Sequence, residues 1–533
     1  MAYNKVWCCG SHGTGKALPN DELVWSNKGL VEITNLVVGD KVVGRDGKYT
    51  EVIGVYPQPI PKPCYELTFR GGAKVRCSED HLWTYKGKRA GTIIVEPLKT
   101  MLERGLKYTR PNPDNQGRYR YKHRYVLPKI SPVEFSYKKD YPINPYTLGA
   151  LIGDGCCRQK YLDISSSEES ILKEISYIEG WTYKKQCENN YTYSLNYPDG
   201  THVKNNNYLT NLYSYEKYIA KEYLEGSLEQ RILLFQGLMD TDGSIVHRKN
   251  SNGVTFSYFT TSPKLVEDFL CLVRSFGIYA YVVEDNRKDR RKGYNIIIAI
   301  PPEFQKYVFR ASKKKNKVKF SGKISSICLL EAEYIGELPC TCIKVAASDG
   351  LFLTKDFIPT HNTTQVEYFL QQVNDKTMHP KWQKLDMERR DLHAKGIINL
   401  NKRATPMDEL VIAGNVAYGI LSTSAPFISD RSFICKCAYS QALPFPEELI
   451  TAWHVINTMS FPGVEDNEIY FYFPPMIPLE DDGVRSIDPE YQKEIDYWVQ
   501  WYLDYFQIPF HTIESYTVQD RHMEITQKVF GKI

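Results

Sequence analysis

The segment Gly10-Ser11-His12-Gly13-Thr14-Gly15-Lys16 follows a short apolar run, Lys5 to Cys9. A buried strand opening into GxxxxGK wraps backbone N–H groups around phosphate oxygens and lends a lysine to the β/γ oxygens. The motif next needs Ser or Thr to hold magnesium, and then a helix. Instead Ala17-Leu18-Pro19-Asn20 follows, and Pro19 would break such a helix. The missing half stands far downstream: Thr363-Thr364 leads the helical pattern Gln365 to Leu370. Joining Lys16 to Thr363 restores GSHGTGKTTQVEYFL in register. Gly10, Gly13, Gly15, Lys16, Thr363 and Thr364 are therefore the candidate nucleotide-binding residues, with Thr363 a ligand of Mg²⁺. The 346 residues from Ala17 to Asn362 are an insertion into a 187-residue host.

A second chemical pattern lies inside the insertion. YTLGALIGDG (Tyr146–Gly155) and LFQGLMDTDG (Leu234–Gly243) match in register, Gly149 with Gly237 and Asp154 with Asp242, 88 residues apart. Each continues into a strand and a Ser-led amphipathic helix. Two apolar helices packed through small residues would bring Asp154 and Asp242 side by side, and like charges that close call for a divalent cation.

The insertion ends in His361-Asn362 before Thr363, and this ending, with VRCSEDHLW and CTCIKVAASDGLFLTKDFIPTHN, resembles the Hint splicing fold of inteins. The resemblance implies that His81 and Ser78 polarise the upstream peptide bond, and that Asn362, assisted by His361, cyclises to release the insert. Most inteins begin with Cys or Ser, whereas this one begins with Ala17. Either a nucleophile has been replaced and splicing is blocked, or the intein is similar to class 3. Class 3 inteins use a cysteine in the penultimate block, a tryptophan two residues after the block histidine, and a threonine before the terminal His-Asn. Cys342, Trp83 and Thr360 stand at those positions. Class 3 chemistry makes Cys342 the first nucleophile and Thr363 the acyl acceptor, and it needs no cofactor.

The repeated Asp-Gly helices closely resemble a LAGLIDADG (DOD-type) homing endonuclease in one chain. That resemblance implies double-stranded DNA as partner, Mg²⁺ at Asp154 and Asp242, and a lysine near the metals that sequence alone does not place. Basic strands interleaved with aromatics, Arg118 to Arg124, Arg287 to Lys292 and Lys313 to Lys319, are the candidate DNA contacts.

The host resembles a thymidylate-kinase-like enzyme, and also small AAA-type ATPases related to nicotinamide-riboside kinases. Asp430-Arg431 ends an apolar run as the kinase DR motif does, and Arg485 sits where such enzymes carry a mobile basic lid. The implied ligands are ATP, Mg²⁺ and a nucleotide or nucleoside. Nucleotide binding without phosphoryl transfer is the alternative.

These sites require three kinds of scaffold. Short strands with turns at Gly39-Asp40 and Asp46-Gly47 indicate an all-β splicing domain, in two parts at 17–135 and 323–362. The repeat indicates an α+β, pseudo-twofold endonuclease over 136–322. The host, 1–16 and 363–533, reads as an α/β fold with a parallel sheet. Charge divides along the same lines. Host residues carry 17 Lys and Arg against 24 Asp and Glu, so the net charge of +4 averages an acidic host with a basic insert. No apolar run spans a membrane. Thirteen cysteines without regular spacing, and an opening without a signal pattern, suggest reduced thiols, a cytoplasmic location and no structural zinc.

Overall fold

A computed structural model of the chain describes residues 3–531. Not described within that span are 11–16, 88–92, 112–118, 136–138, 157, 159, 206–208, 248–253, 287–290, 319–325, 348, 362–368, 371–372, 375–380, 386–391, 393–396, 401–403, 424–425, 460–462, 476–487 and 515–517.

The host residues form a five-stranded, wholly parallel sheet in the order Gln383–Leu385, Phe427–Ser429, Lys5–Gly10, Glu468–Phe473, Phe510–Thr512. Its three inner strands are mostly apolar because both faces are covered, whereas the edge strands Gln383–Leu385 and Phe510–Thr512 carry polar residues. Trp7 and Cys9 point into one core with the helices Pro406–Ser422, Phe433–Gln441 and Pro489–Tyr505. Val6 and Cys8 point into the other, with Ile525 and Val529 of the helix Val518–Phe530. The central strand Lys5–Gly10 precedes the insertion, and its neighbours come from beyond it.

The antiparallel part is built on two long strands, Tyr49–Phe69 and Leu329–Val345, paired along almost their whole length. The splicing part was expected to hold short strands only, whereas Tyr49–Phe69 is a 21-residue element. Bulges between Leu329 and Glu331, Tyr334 and Gly336, Leu338 and Cys340, and Lys344 and Val345 let so long a pair twist and curve. Gly39 and Gly47 hold positive φ at the two expected turns, where a side chain would be strained. Leu18–Pro19 pairs with the far end of Leu329–Val345, and Lys74–Ser78 pairs with Tyr49–Phe69.

The repeated part has two copies of one plan. The helix Pro145–Asp154 leads to strands ordered Gly155–Cys156, Asp163–Ser165, Thr192–Asn196, Thr182–Lys185. The helix Leu228–Asp242 leads to Gly243–His247, Val254–Thr260, Gly293–Ala299, Tyr279–Asp285 in the same order. Asn144 caps the first helix with Pro145 at its first turn, and Ser227 with Gln230 forms a capping box on the second. Glu169–Glu179 and Pro263–Arg274 are the matching amphipathic helices. Two of the proposed DNA-contacting strands differ from expectation. Lys313–Lys317 is a 3₁₀ turn, and the described end of 287–292 belongs to a hairpin connection, where Lys292 pairs with Glu284 at 2.6 Å. Tyr119–His123 is a strand, paired with Lys107–Pro111.

Candidate functional site

The strand register assembles the upstream junction. Leu18 pairs with Thr341 and Pro19 with Cys340, which sets Ala17 opposite Cys342. Ala17, Cys342, Cys64 and Cys340 share one buried cluster. The N–H of Ser78 donates to the carbonyl of Ala17 at 3.0 Å, and the Ala17 N–H lies 3.4 Å from the Ser78 hydroxyl. Ser78 and His81 are joined by a turn, with His81 N–H donating to Ser78 O at 3.0 Å.

The downstream junction meets the same turn. His81 Nε2 contacts the Thr360 hydroxyl at 2.5 Å, and both residues are buried. Thr360 lies in the strand Pro359–His361, paired with Leu351–Leu353. Trp83 packs edge-on against His81 at 5.5 Å and tilted against Phe69 at 5.3 Å, fixing the imidazole from the side. His361 ends its strand. Lys16, Asn362, Thr363 and Thr364 lie outside the described residues. Cys64 and Cys340, which sequence reading passed over, face each other with Sγ atoms 3.5 Å apart.

In the repeated part, the two Asp-Gly helices touch backbone to backbone. A Cβ on Gly149 would lie 2.4 Å from Leu234 O, and one on Gly237 would lie 2.1 Å from Tyr146 O. Asp154 and Asp242 follow at the ends of these helices, both half-buried. The Asp154 carboxyl is pushed up to about 6, first by burial and then by the charge of Asp242. Burial likewise raises Asp242. A pair of hard oxygen donors held so close suits a divalent cation, which would relieve that repulsion. Among the described residues no group of three or more His, Cys, Asp or Glu gathers to hold a metal, so further ligands would come from backbone, water or bound phosphate.

Two lysines stand at the ends of these helices: Lys217, which no sequence signal marked, and Lys314, expected within the DNA-contacting run Lys313 to Lys319. Lys217 Nζ donates to the carbonyls of Ile152, Gly153 and Gly155 at 2.7, 3.0 and 3.0 Å. Lys314 Nζ donates to those of Asp240, Thr241 and Gly243 at 2.9, 2.7 and 2.8 Å. Each caps the exposed carbonyls of one helix end, and each lowers the carboxyl pKa of both aspartates. Lys314 therefore turns inward rather than joining an exposed basic strand. Lys217 stands in no charge run, and only the fold reveals it.

In the host sheet, Trp7 pairs in register with Ser429. Asp430-Arg431 therefore leaves the sheet at the same end as Gly10, one strand away. Ser432 then caps the helix Phe433–Gln441, and the Arg431 guanidinium lies 5.5 Å from the Tyr439 ring. Gly13, Gly15, Lys16 and Arg485 lie outside the described residues.

Comparison with known proteins follows this division. Residues 229–324 match the family model of a LAGLIDADG-like domain, and residues 367–521 match that of an AAA domain. Neither model spans half of the chain. The chain has three parts: one with an antiparallel sheet, similar in sequence to intein splicing domains, one that matches a LAGLIDADG-like domain, and one with a parallel sheet that matches an AAA domain. A replicative DNA helicase DnaB of Mycobacterium intracellulare is 24% identical over 373 residues, covering 66% of this chain. The match spans about three fifths of that relative, 59% of its length. Among solved structures, the gp41-1 intein is 31% identical over 16% of this chain and 61% of its own, with a TM-score of 0.14. The Msm DnaB1 intein splicing domain bound with zinc is 25% identical over 15% and 60%, with a TM-score of 0.13. No helix among the described residues is long and apolar enough to cross a membrane.

Proposed function

We propose that the chain excises the insert by class 3 splicing and joins Lys16 to Thr363. The observation that carries this is the register placing Cys342 opposite Ala17, over the turn that holds Ser78 and His81. The Cys342 thiolate attacks the Lys16 carbonyl, and the Ala17 amine leaves as its nitrogen is protonated with help from His81. The new thioester passes its acyl group to the Thr363 hydroxyl. Asn362 then cyclises onto its own carbonyl, which breaks the Asn362–Thr363 bond, and an oxygen-to-nitrogen acyl shift leaves an amide. Trp83 and Thr360 hold the His81 ring. Mass spectrometry tests the reading: the wild type should yield products of about 40 and about 21 kDa, and Cys342→Ala should remain at full length. Splicing by Cys342→Ala would sink class 3 chemistry.

The released insert is read as a site-specific endonuclease for double-stranded DNA. Asp154 and Asp242 would hold Mg²⁺, which would supply Lewis-acid activation of the phosphodiester. Lys217 and Lys314 place positive charge beside them. The 373-residue likeness to the helicase is close in length to the 346-residue insert, which supports reading it as a likeness between inserts.

For the joined host, the AAA-type match and the adjacency of Gly10 to Asp430-Arg431 support an ATP-binding enzyme. We favour a kinase for a nucleotide or nucleoside, with Asp430 near magnesium and acceptor, and Arg431 and Arg485 on phosphates. A coupled assay of spliced protein with dTMP, dUMP and nicotinamide riboside tests it. ATP turnover that no acceptor stimulates would leave an NTPase instead.

A further inference from the structure

The two lysines reach the paired helices on different mounts, and a buried carboxylate secures each. Asp240 lies two residues before Asp242, whereas the first helix has Ile152 at the matching position. Its carboxylate is buried, a costly placement unless hydrogen bonds satisfy it. It accepts from the Tyr146 hydroxyl at 2.8 Å, the Ala311 N–H at 2.8 Å and the Arg310 N–H at 3.1 Å. Those N–H groups open the segment that ends in Lys314. The first repeat grips the same segment: Arg310 Nε donates to Glu174 at 2.6 Å, and the Lys313 N–H and Ser312 hydroxyl donate to Glu168 at 2.7 and 3.1 Å.

The Lys217 segment is fastened to the second repeat. The Ser262 hydroxyl donates to the Lys217 carbonyl at 2.6 Å, and the Ile219 N–H donates to Asp268 at 3.0 Å. Asp268 is buried and also pairs with Lys264 at 2.7 Å. The first helix end is thus capped by a lysine mounted on the second repeat, and the second helix end by one mounted partly on the first. Among the described residues, these hydrogen bonds of the two mounts have no residue in common.

We infer that Asp240 and Asp268 are positioning residues that set Lys314 and Lys217 independently, each lysine serving one DNA strand. The two repeats share one plan, and their pseudo-twofold parallels the twofold relation of a duplex's strands. This rests on the endonuclease reading and adds to it the carboxylates that position its two lysines. A carboxylate bolted to backbone N–H groups fixes a loop closely. Weakening the bolt lets the lysine drift, and a drift of about 1 Å at a reacting group costs roughly 100-fold in rate.

The test uses the full chain with Asp240→Asn, Asp268→Asn or Tyr146→Phe. The probe is a supercoiled plasmid, with a matching end-labelled duplex, carrying the chain's own gene with codons 17–362 removed. DNA affinity is read separately with Ca²⁺ replacing Mg²⁺. The expected result is affinity within about threefold of wild type, accumulation of nicked circles, and a fall of about 10- to 100-fold in cutting of one strand. Asp240→Asn and Asp268→Asn should slow opposite strands, and Tyr146→Phe should slow the Asp240 strand to a smaller degree. Equal slowing of both strands, the same strand slowed by Asp240→Asn and Asp268→Asn, or lost affinity would overturn the inference. Should Asp240→Asn not fold, Tyr146→Phe and Asp268→Asn still decide it by the strand each slows. A wild type that leaves the plasmid intact would bring down the endonuclease reading itself, and this inference with it.

Discussion

Replacing Gly237 by Ala sets two known effects against each other. Helix propensity favours Ala over Gly by about 1 kcal/mol, so an isolated helix Leu228–Asp242 would gain. In the assembled domain the new Cβ would lie 2.1 Å from Tyr146 O and 2.8 Å from Ala150 N, both backbone atoms of the facing helix. No side chain can swing aside, so the helices must part by about 1 Å to regain ordinary contact. Overpacking costs about 1–3 kcal/mol, and contact with backbone places this case at the top of that range. The net loss is about 2 kcal/mol, a fall of about 4–8 °C in the unfolding midpoint for a domain of this size. Calorimetry and plasmid cutting measure it, and cutting should be lost because Asp154 and Asp242 move apart. Gly414, within the helix Pro406–Ser422, is the control: nothing lies within 4 Å of its added Cβ. Gly414→Ala should stabilise the host by about 0.5–1 kcal/mol. A Gly237→Ala protein with an unchanged midpoint and full cutting would refute the close-packing argument.

Asp154 gives a pH signature. Its folded pKa of about 6 lies above that of the unfolded chain, so it favours the fold at low pH and loses that contribution as pH rises through about 6. Without Mg²⁺, the stability gain of Asp154→Asn over wild type should therefore grow from pH 4 to pH 7 while cutting is abolished; a gain independent of pH would contradict this. Arg231 is fully buried, donates to the carbonyls of Gly226 and Val133 and to the Ser275 hydroxyl, and lies over Phe135 and Phe276. Arg231→Ala strands those acceptors and should cost roughly 3 kcal/mol in urea unfolding; an unchanged urea midpoint would show that they find other partners. Finally, Cys342→Ala precursor should bind Mg·ATP far more weakly than spliced host by calorimetric titration, since the insertion parts Lys16 from Thr363; equal affinity would refute that.

Much of this was legible in sequence because the signals were local. Gly149 and Gly237 announced a close helix pair, and the strands Lys5–Gly10 and Glu468–Phe473 showed the unbroken apolar runs of a sheet covered on both faces. The 21-residue strand Tyr49–Phe69 was not legible. Its Pro-rich middle reads as turns until pairing with Leu329–Val345 and its bulges accommodate it. Lys217 was missed and Lys314 was read as a DNA contact because a capping lysine is defined by the carbonyls it meets, and those lie 62 to 75 residues away. Nothing in Tyr218, Glu216 or Lys313 distinguishes these lysines from solvated surface. Asp240 was hidden for a related reason: in LFQGLMDTDG it reads as a second copy of Asp242, and only its partners Tyr146 and Ala311 give it another task.

The geometry also shows how the host accommodates so large an interruption. Ala17 is tied to Ser78, Thr360 to His81, and one turn joins Ser78 to His81, so both ends of the insertion converge on one point. The host therefore meets a closed loop rather than a 346-residue tether, and closure is provided by the splicing domain's own pairing. The host sheet illustrates the result. Lys5–Gly10, from before the insertion, is already paired with Phe427–Ser429 and Glu468–Phe473, from after it. The host sheet is thus paired with the insertion still in place. An insertion at this point separates stability from activity. On the proposed reading, the precursor is folded while its nucleotide site awaits the joining of Lys16 to Thr363.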